Sequence, residues 1–373
     1  MAQPVRCEFP VSTALLEQGV CDHVFPGCAF AVLRTARSRP PEESAGAVGR
    51  FTYDPHSPVV EPDTVFDLAS LTKVLATTAA VMRLYDRGEL ALDASVAEWL
   101  PEFAAADVSD IRRSRVTLRM LLDHSSGLPG YVRIFESAND RLAMIRACLR
   151  QPLTADPGTR VEYSDIGFMI LGHMIEKIAG ERLDSFCQRE IFAPLGMSTT
   201  RFCPDRGQHA SIPPTEEDRS FRHRVIQGEV NDENASVMGG VAGHAGLFSN
   251  AQDVLRFARC ILENGAAAAE TPLFSAQTIA LFATPTQQPL GTSRALGWDT
   301  PSAPSSSGTL FSARSIGHLG FTGTSLWIDL DAGIAIALLT NRTWPDRSNQ
   351  AIRGLRPRFY DALRHELAIN QKI

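Results

Sequence analysis

Extended, β-branched runs sit at the two ends of this chain and hardly anywhere between. PGCAFAVLR (26–34) lies near the start, and GHLGFTGTSLWIDL (317–330) and GIAIALLTN (333–341) lie near the end, while the middle reads as a series of helices. Such a chain has to bring both termini into one sheet and carry its middle as an insertion. The expected fold class is α+β: an antiparallel sheet built from N- and C-terminal segments with flanking helices, plus a large mostly helical insertion. Residues 1–69 and 250–373 would form the sheet subdomain, and residues 70–249 the helical one.

Local signals fill in this outline. The polar, Pro-rich stretch TARSRPPEESAGAV (35–48) reads as a long loop, with GRFTY (49–53) returning as the second strand of a hairpin. Helices are expected from Ser70 to Leu84, over 116–127 with a glycine stop, and over DIGFMILGHMIEKIA (165–179) with Gly180 as its end. DSFCQREIFAPLGM repeats the helical pattern, with Pro194 and Gly196 as punctuation. MGGVAGHAGLFSNAQDVLRFARCIL (238–262) should enter a helix capped by Ser249, with Asp253 in its first turn, and a last helix should run over 349–368.

Composition removes several function classes. Acidic residues outnumber basic ones, 42 to 36, and no basic stripe is visible, so nucleic acid is not an expected partner. The seven cysteines are odd in number, scattered and free of CxxC pairs, which argues against a disulfide framework or zinc cluster and for a reducing compartment. IDLDAGIAIALLT is broken by Asp329 and Asp331, so no membrane span is expected. The first residues lack an apolar secretory core. The chain therefore reads as cytoplasmic, or periplasmic if a leader has been removed.

The chemistry concentrates in three places. In FDLASLTKVLATTAAVM (66–82), Ser70 and Lys73 are three residues apart and share one helical face, close enough for their side chains to meet. Lys73 is one of only three lysines in the chain. A serine needs a base within hydrogen-bond reach, and a lysine serves only if its pKa is lowered. VEYSDIGF supplies Tyr163, which a nearby lysine can drive toward phenolate, and Asp165 just before an apolar helix. GHLGF places His318, Leu319 and Gly320 on an apparent strand whose glycines let a substrate lie against backbone N–H groups.

These three motifs, in this order, resemble the serine β-lactamase and penicillin-binding protein superfamily, for which the SxxK signature is a known mark. The similarity is greatest to the class C β-lactamase branch, which also holds DD-peptidases and family VIII carboxylesterases. MLLDHSSGLPG, IFAPLGM and GGVAGHAGLFSNAQDVLRFA extend it over roughly residues 20–365. The resemblance implies Ser70 as the acylated nucleophile, Lys73 as its partner and Tyr163 as the second base. It also implies an oxyanion hole from the backbone N–H groups of Ser70 and Phe321, and a site between the two subdomains.

The departures bear on substrate. Asp165 stands where class C enzymes carry asparagine, and His318, Leu319 and Gly320 stand where they carry KTG. Histidine is mostly uncharged at pH 7, given a pKa near ~6.5, and leucine has no hydroxyl, so the clamp for a substrate carboxylate is weakened. Arg314 is a candidate replacement, and a register placing FTG (321–323) on KTG would lose the cation altogether. Asp165 beside Lys73 would favour its ammonium form and make Tyr163 the working base.

The expected function is a serine hydrolase acting through an acyl-enzyme, chiefly a carboxylesterase on small esters with weak or no β-lactamase activity. Its partners are small-molecule esters, amides or β-lactams. The alternatives are a DD-peptidase or D-aminopeptidase, a class C-like β-lactamase, and a non-catalytic ligand-binding member. No cofactor is expected, because the AGHAG loop lacks the GKS or GKT ending of a phosphate loop. NDEN (231–234) lacks histidines at ligand spacing and reads as a loop lining the cleft rather than a metal site. His124 reads as structural, and His244 as a residue bordering the pocket. The sequence leaves the oligomeric state open.

Overall fold

The computed structural model describes residues 8–36, 39–266, 272–287 and 289–369. Five antiparallel strands form the main sheet: β1 (Gly27–Ala36), β2 (Arg39–Gly49), β3 (Ser315–Leu319), β4 (Ser325–Asp329) and β5 (Ile334–Thr340), in the order β2-β1-β5-β4-β3. The first N-terminal strand therefore pairs directly with the last C-terminal one, Cys28 opposite Thr340 and Arg34 opposite Ile334. The α+β architecture read from the sequence, an antiparallel sheet built from both termini, is the one observed.

Period-two alternation divides the core between the faces of this sheet. Cys28, Phe30 and Val32 of β1, with Ile334, Ile336 and Leu338 of β5, pack on α1 (Pro10–Cys21) and on the C-terminal helix Ile352–Ile369. Ala29, Ala31 and Leu33, with Ala335, Ala337 and Leu339, face the helix Ala251–Leu262 and the helical middle of the chain. Small residues on this second face let the amphipathic helix lie close to the strands.

Several local expectations are corrected. The Pro-rich stretch is itself the strand β2, while only Gly49 of GRFTY belongs to it; as an edge strand it tolerates Pro40 and Pro41, which sit where its pairing with β1 shifts register between Arg34 and Ala36. The helix expected over 116–127 spans only Leu118–Leu122, because Asp123 turns its carboxylate onto the Ser125 N–H and His124 adopts φ +63. Asn250, not Ser249, caps the helix Ala251–Leu262, its side chain accepting the Asp253 N–H at 2.8 Å, and Ser249 ends a short strand. The segment 70–84 is not one α-helix but a 3₁₀ turn (Ala69–Leu71), a π-helical stretch (Lys73–Thr78) and an α-helix, α2 (Ala79–Asp86). The helix Asp165–Ala179, α3, has the expected bounds, and Gly180 closes it at φ +69. No helix among the described residues is long and apolar enough to cross a membrane.

Candidate active site

The serine sits in a loop held under strain. A two-residue strand, Phe66–Asp67, pairs with Leu247–Ser249, and Ala69 then takes φ +47, a left-handed conformation that costs an alanine on the order of 1 kcal/mol. Bonds from all sides enforce it. One Asp67 oxygen accepts the Ala69 N–H at 2.8 Å and the other accepts the Asn231 N–H at 2.7 Å. Thr72 Oγ1 donates to the Ala69 carbonyl at 2.7 Å and accepts the Leu247 N–H at 3.1 Å. From the far end of the chain, Thr322 Oγ1 donates to the Asp67 carbonyl at 2.8 Å and Thr324 Oγ1 to the Leu68 carbonyl at 2.9 Å. Gly320 lies so close beneath that a Cβ there would collide with Thr324 Oγ1 and the Leu68 carbonyl. Burial pushes the Asp67 carboxyl up to about 6, against the two backbone N–H bonds.

Lys73 has a fully buried side chain and three acceptors. Its Nζ donates to Ser70 Oγ at 3.0 Å, Asp165 Oδ1 at 2.7 Å and the His244 carbonyl at 3.1 Å. An ammonium with all three N–H groups engaged offers no lone pair. Burial alone would lower its pKa, but the Asp165 carboxylate and Tyr163 outweigh it and the pKa is raised. Asp165 opens α3, whose cap is Ser164: its Oγ accepts the Gly167 N–H at 3.0 Å. The glycine run explains the third acceptor. Gly243 touches the Phe168 carbonyl and Gly172 of α3 too closely for any Cβ, and this approach delivers the His244 carbonyl to Lys73.

Tyr163 lies over this cation, Nζ being 4.9 Å from its ring centroid. Burial raises its pKa, Lys73 opposes, Asp165 adds to the rise, and the net displacement is upward. At neutral pH the resting side chain is therefore the phenol, with Lys73 the group that pulls it toward phenolate. The His124 ring lies tilted against it, 4.6 Å between centroids, and the Arg294 guanidinium lies 5.4 Å from its centroid. His124 Nδ1 accepts the Ser164 N–H at 3.0 Å, which leaves its proton on Nε2.

His318 is 5.9 Å from Tyr163, ring to ring. Its Nδ1 lies 2.9 Å from the Leu319 carbonyl, which can only accept, so Nδ1 carries the proton and Nε2 the lone pair. That Nε2 is buried and has no partner among the described residues. Burial, then repulsion from Lys73 and Arg294, holds His318 well below 6.5, and it carries no charge at neutral pH.

Beyond Leu319, a turn closed by the Gly323 N–H onto the Gly320 carbonyl at 3.0 Å carries Phe321, whose own N–H lies outside that closing bond. The Phe321 carbonyl accepts from Arg342 Nε at 2.8 Å, and its ring, 45% exposed, lies between Arg342 and Arg347. A cleft of about 780 Å³ unites Ser70, Tyr163, Asp165, His318, Leu319, Gly320 and Phe321, seven of the eight residues singled out in the sequence. The eighth, Lys73, lies beneath it.

Other expectations resolve differently. Arg314 is exposed, pairs with Asp331 at 3.1 Å and does not line the cleft. Arg294 lines it instead, carried on a bridge between Arg294 and Asp299 that is itself docked on Gly317. No periodicity marks this arginine in TSRALGW. His244 borders the cleft, its Nε2 2.9 Å from Asp232 Oδ1; burial alone would raise Asp232, but His244 holds it at about 2. Asn231, Asp232 and Glu233 of NDEN do line the cleft, as expected of that loop, and the segment also braces the fold, Asp232 capping a helix, Glu233 pairing with Arg347 at 2.8 Å and Asn234 accepting the Phe135 N–H at 3.0 Å. Among the described residues no His, Cys, Asp or Glu cluster is placed to hold a metal.

The chain is similar in sequence and in fold to known proteins. The Beta-lactamase family model matches residues 13–356. A putative D-alanyl-D-alanine carboxypeptidase of Escherichia coli K12 is 34% identical over 304 residues, 75% of this chain and 69% of the relative. An N-acetylmuramyl-L-alanine amidase of Bacillus subtilis is 36% identical over 304 residues, 75% and 68% of the two chains. Among solved structures, EstCE1, a hydrolase with promiscuous acyltransferase activity, superposes with a TM-score of 0.70 at 22% identity, covering 94% of this chain and 98% of its own. A class C beta-lactamase from Rhodobacter sphaeroides gives 0.72 at 21%, covering 95% and 99%.

Proposed function

Because the chain belongs to the beta-lactamase family, as a serine hydrolase of the β-lactamase and penicillin-binding protein superfamily, we propose that it is a carboxylesterase on small esters with weak or no β-lactam turnover. The observation that carries this reading is the uncharged His318 beside the apolar Leu319, where a substrate carboxylate would otherwise be clamped.

The steps follow from the groups present. Tyr163, as phenolate, takes the Ser70 hydroxyl proton while Oγ bonds to the ester carbonyl carbon. Lys73 remains the cation that stabilises that phenolate, and the N–H groups of Ser70 and Phe321 receive the oxyanion. Collapse expels the alkoxide, which takes the proton back from Tyr163. Water then attacks the acyl-enzyme by the same route, releasing the acid.

Losing a charge-assisted clamp of about 2–3 kcal/mol corresponds to roughly a hundredfold. The expected kcat/KM for p-nitrophenyl butyrate is therefore at least about 100-fold above that for nitrocefin. Comparable values for the two would remove the esterase reading.

The pH dependence has a definite sign. The working base is the deprotonated form of a group whose pKa is raised, so its population grows as pH increases, and Lys73, also raised, stays charged meanwhile. kcat/KM should climb from neutral into alkaline pH, by up to about tenfold per unit. A plateau from pH 6 to 9 would assign the proton to another group.

A second reading, a peptidase for D-alanine-terminated peptides, is favoured by Arg294 in the cleft and by the carboxypeptidase relative. Faster turnover of a D-Ala-D-Ala peptide than of simple esters would establish it.

A further inference from the structure

Two stretches that the reaction steps leave without a task, NDEN and AGHAG, meet at the wall of the cleft. His244 Nε2 lies 2.9 Å from Asp232 Oδ1, and a carboxylate oxygen only accepts, so Nε2 carries the proton. The other ring nitrogen, Nδ1, is buried and has no partner among the described residues. Among them Asp232 is therefore the hydrogen-bond partner that orients this ring. Asp232 is itself fixed: the same Oδ1 accepts the Ala235 N–H at 2.7 Å. The residue before it, Asn231, donates its N–H to Asp67 Oδ2 at 2.7 Å and its side-chain amide to Glu216 Oε2 at 3.0 Å, and Asp67 Oδ1 in turn holds the Ala69 N–H.

The backbone of residue 244 is where this matters. Gly243 has a fixed place, since its carbonyl accepts from Thr77 Oγ1 at 2.6 Å and no Cβ would fit between it and α3. A glycine turns freely, so fixing its place does not fix the direction of the next carbonyl. That next carbonyl, of His244, is the one that accepts Lys73 Nζ at 3.1 Å. A ring tied at its far edge restrains the residue that carries it.

We propose that Asp232 and His244 are positioning residues of the reaction: their side-chain bond aims the His244 carbonyl at Lys73 and so keeps the cation between Ser70 and Tyr163. Through Asn231 the same segment braces the loop ahead of Ser70, so two adjacent residues set the nucleophile and its cation in register. The proposal rests on the serine-hydrolase reading and adds to it two residues that act through Lys73.

The test sets His244→Leu beside His244→Gln. The glutamine Nε2 extends about as far from Cβ as the imidazole Nε2 and can donate to Asp232, whereas leucine fills space and donates nothing. His244→Leu should lower kcat for p-nitrophenyl butyrate at least about 30-fold with KM within about threefold, because a misplacement of about 1 Å costs up to about a hundredfold. His244→Gln should return to within about threefold of wild type. Of the groups that face Tyr163, namely Lys73, Asp165, His124, His318 and Arg294, it is Lys73 that the His244 carbonyl touches. Lys73 draws the phenol pKa down, so loosening it should carry the alkaline limb of kcat/KM to higher pH in His244→Leu, and His244→Gln should bring it back. A merely structural role would lower activity at every pH and leave the limb in place.

Asp232→Ser keeps a helix-capping side chain, one bond shorter, and breaks the same contact from the other end. Its loss in kcat should match that of His244→Leu, and the double variant should lose no more than about threefold beyond either single change. Activity of His244→Leu within about threefold of wild type, or a loss with an unmoved limb, overturns the proposal. If His244→Leu does not fold, Asp232→Ser decides, and full activity in it overturns the proposal. If wild type hydrolyses no ester, the esterase reading falls and the rate of fluorophosphonate addition at Ser70 decides. Addition must then be slower in His244→Leu and restored in His244→Gln, and equal rates overturn the positioning role.

Discussion

Ser70→Ala should lower kcat for p-nitrophenyl butyrate by at least about 10⁴-fold, since removing a nucleophile leaves only oxyanion stabilisation and binding. The loss should come without unfolding. Ser70 borders the open cleft, and its truncation takes one of three acceptors from Lys73 while Asp165 and the His244 carbonyl remain. Treating wild type with a fluorophosphonate should add one adduct to the intact mass, and the variant should add none. Turnover by the variant above about one hundredth of wild type would place the nucleophile elsewhere.

Lys73→Met should be the next most damaging change, with a loss of about 10³-fold at pH 7, within the range for a group that governs proton transfer. Methionine fills the aliphatic part of the buried space but donates nothing. Asp165 keeps 18% of its side chain exposed and can recruit water, so the fold should survive. The distinctive readout is the pH profile. Lys73 is what pulls the Tyr163 pKa down against burial, so its removal should carry the alkaline limb to still higher pH. A variant that is slower but has an unmoved limb would show that Lys73 only positions Ser70.

Much of this arrangement is legible in the amino-acid sequence. Ser70 and Lys73 meet because three-residue spacing on a tightly wound segment fixes their approach, and α3 has the expected bounds because Ser164 and Gly180 are strong end signals. What escapes depends on contacts distant in sequence. β2 reads as a loop because polarity and proline exclude a central strand but not an edge one. The phenol state of Tyr163 is decided by burial, which composition does not report. Arg294, Arg342 and Arg356 come from three separate segments, and only the fold shows that they share a cleft. The FTGT stretch suggests a register for substrate, yet its two threonines bond to the backbone ahead of Ser70.

Those two threonine bonds join residues 255 and 256 positions apart. During synthesis Ser70 leaves the ribosome long before Thr322 exists, and closing so large a loop is among the slower events of folding. Until it closes, Ala69 is free to relax to an ordinary φ, and Ser70 is a serine like any other. The loop that presents Ser70 thus draws its support from the last part of the chain to be made.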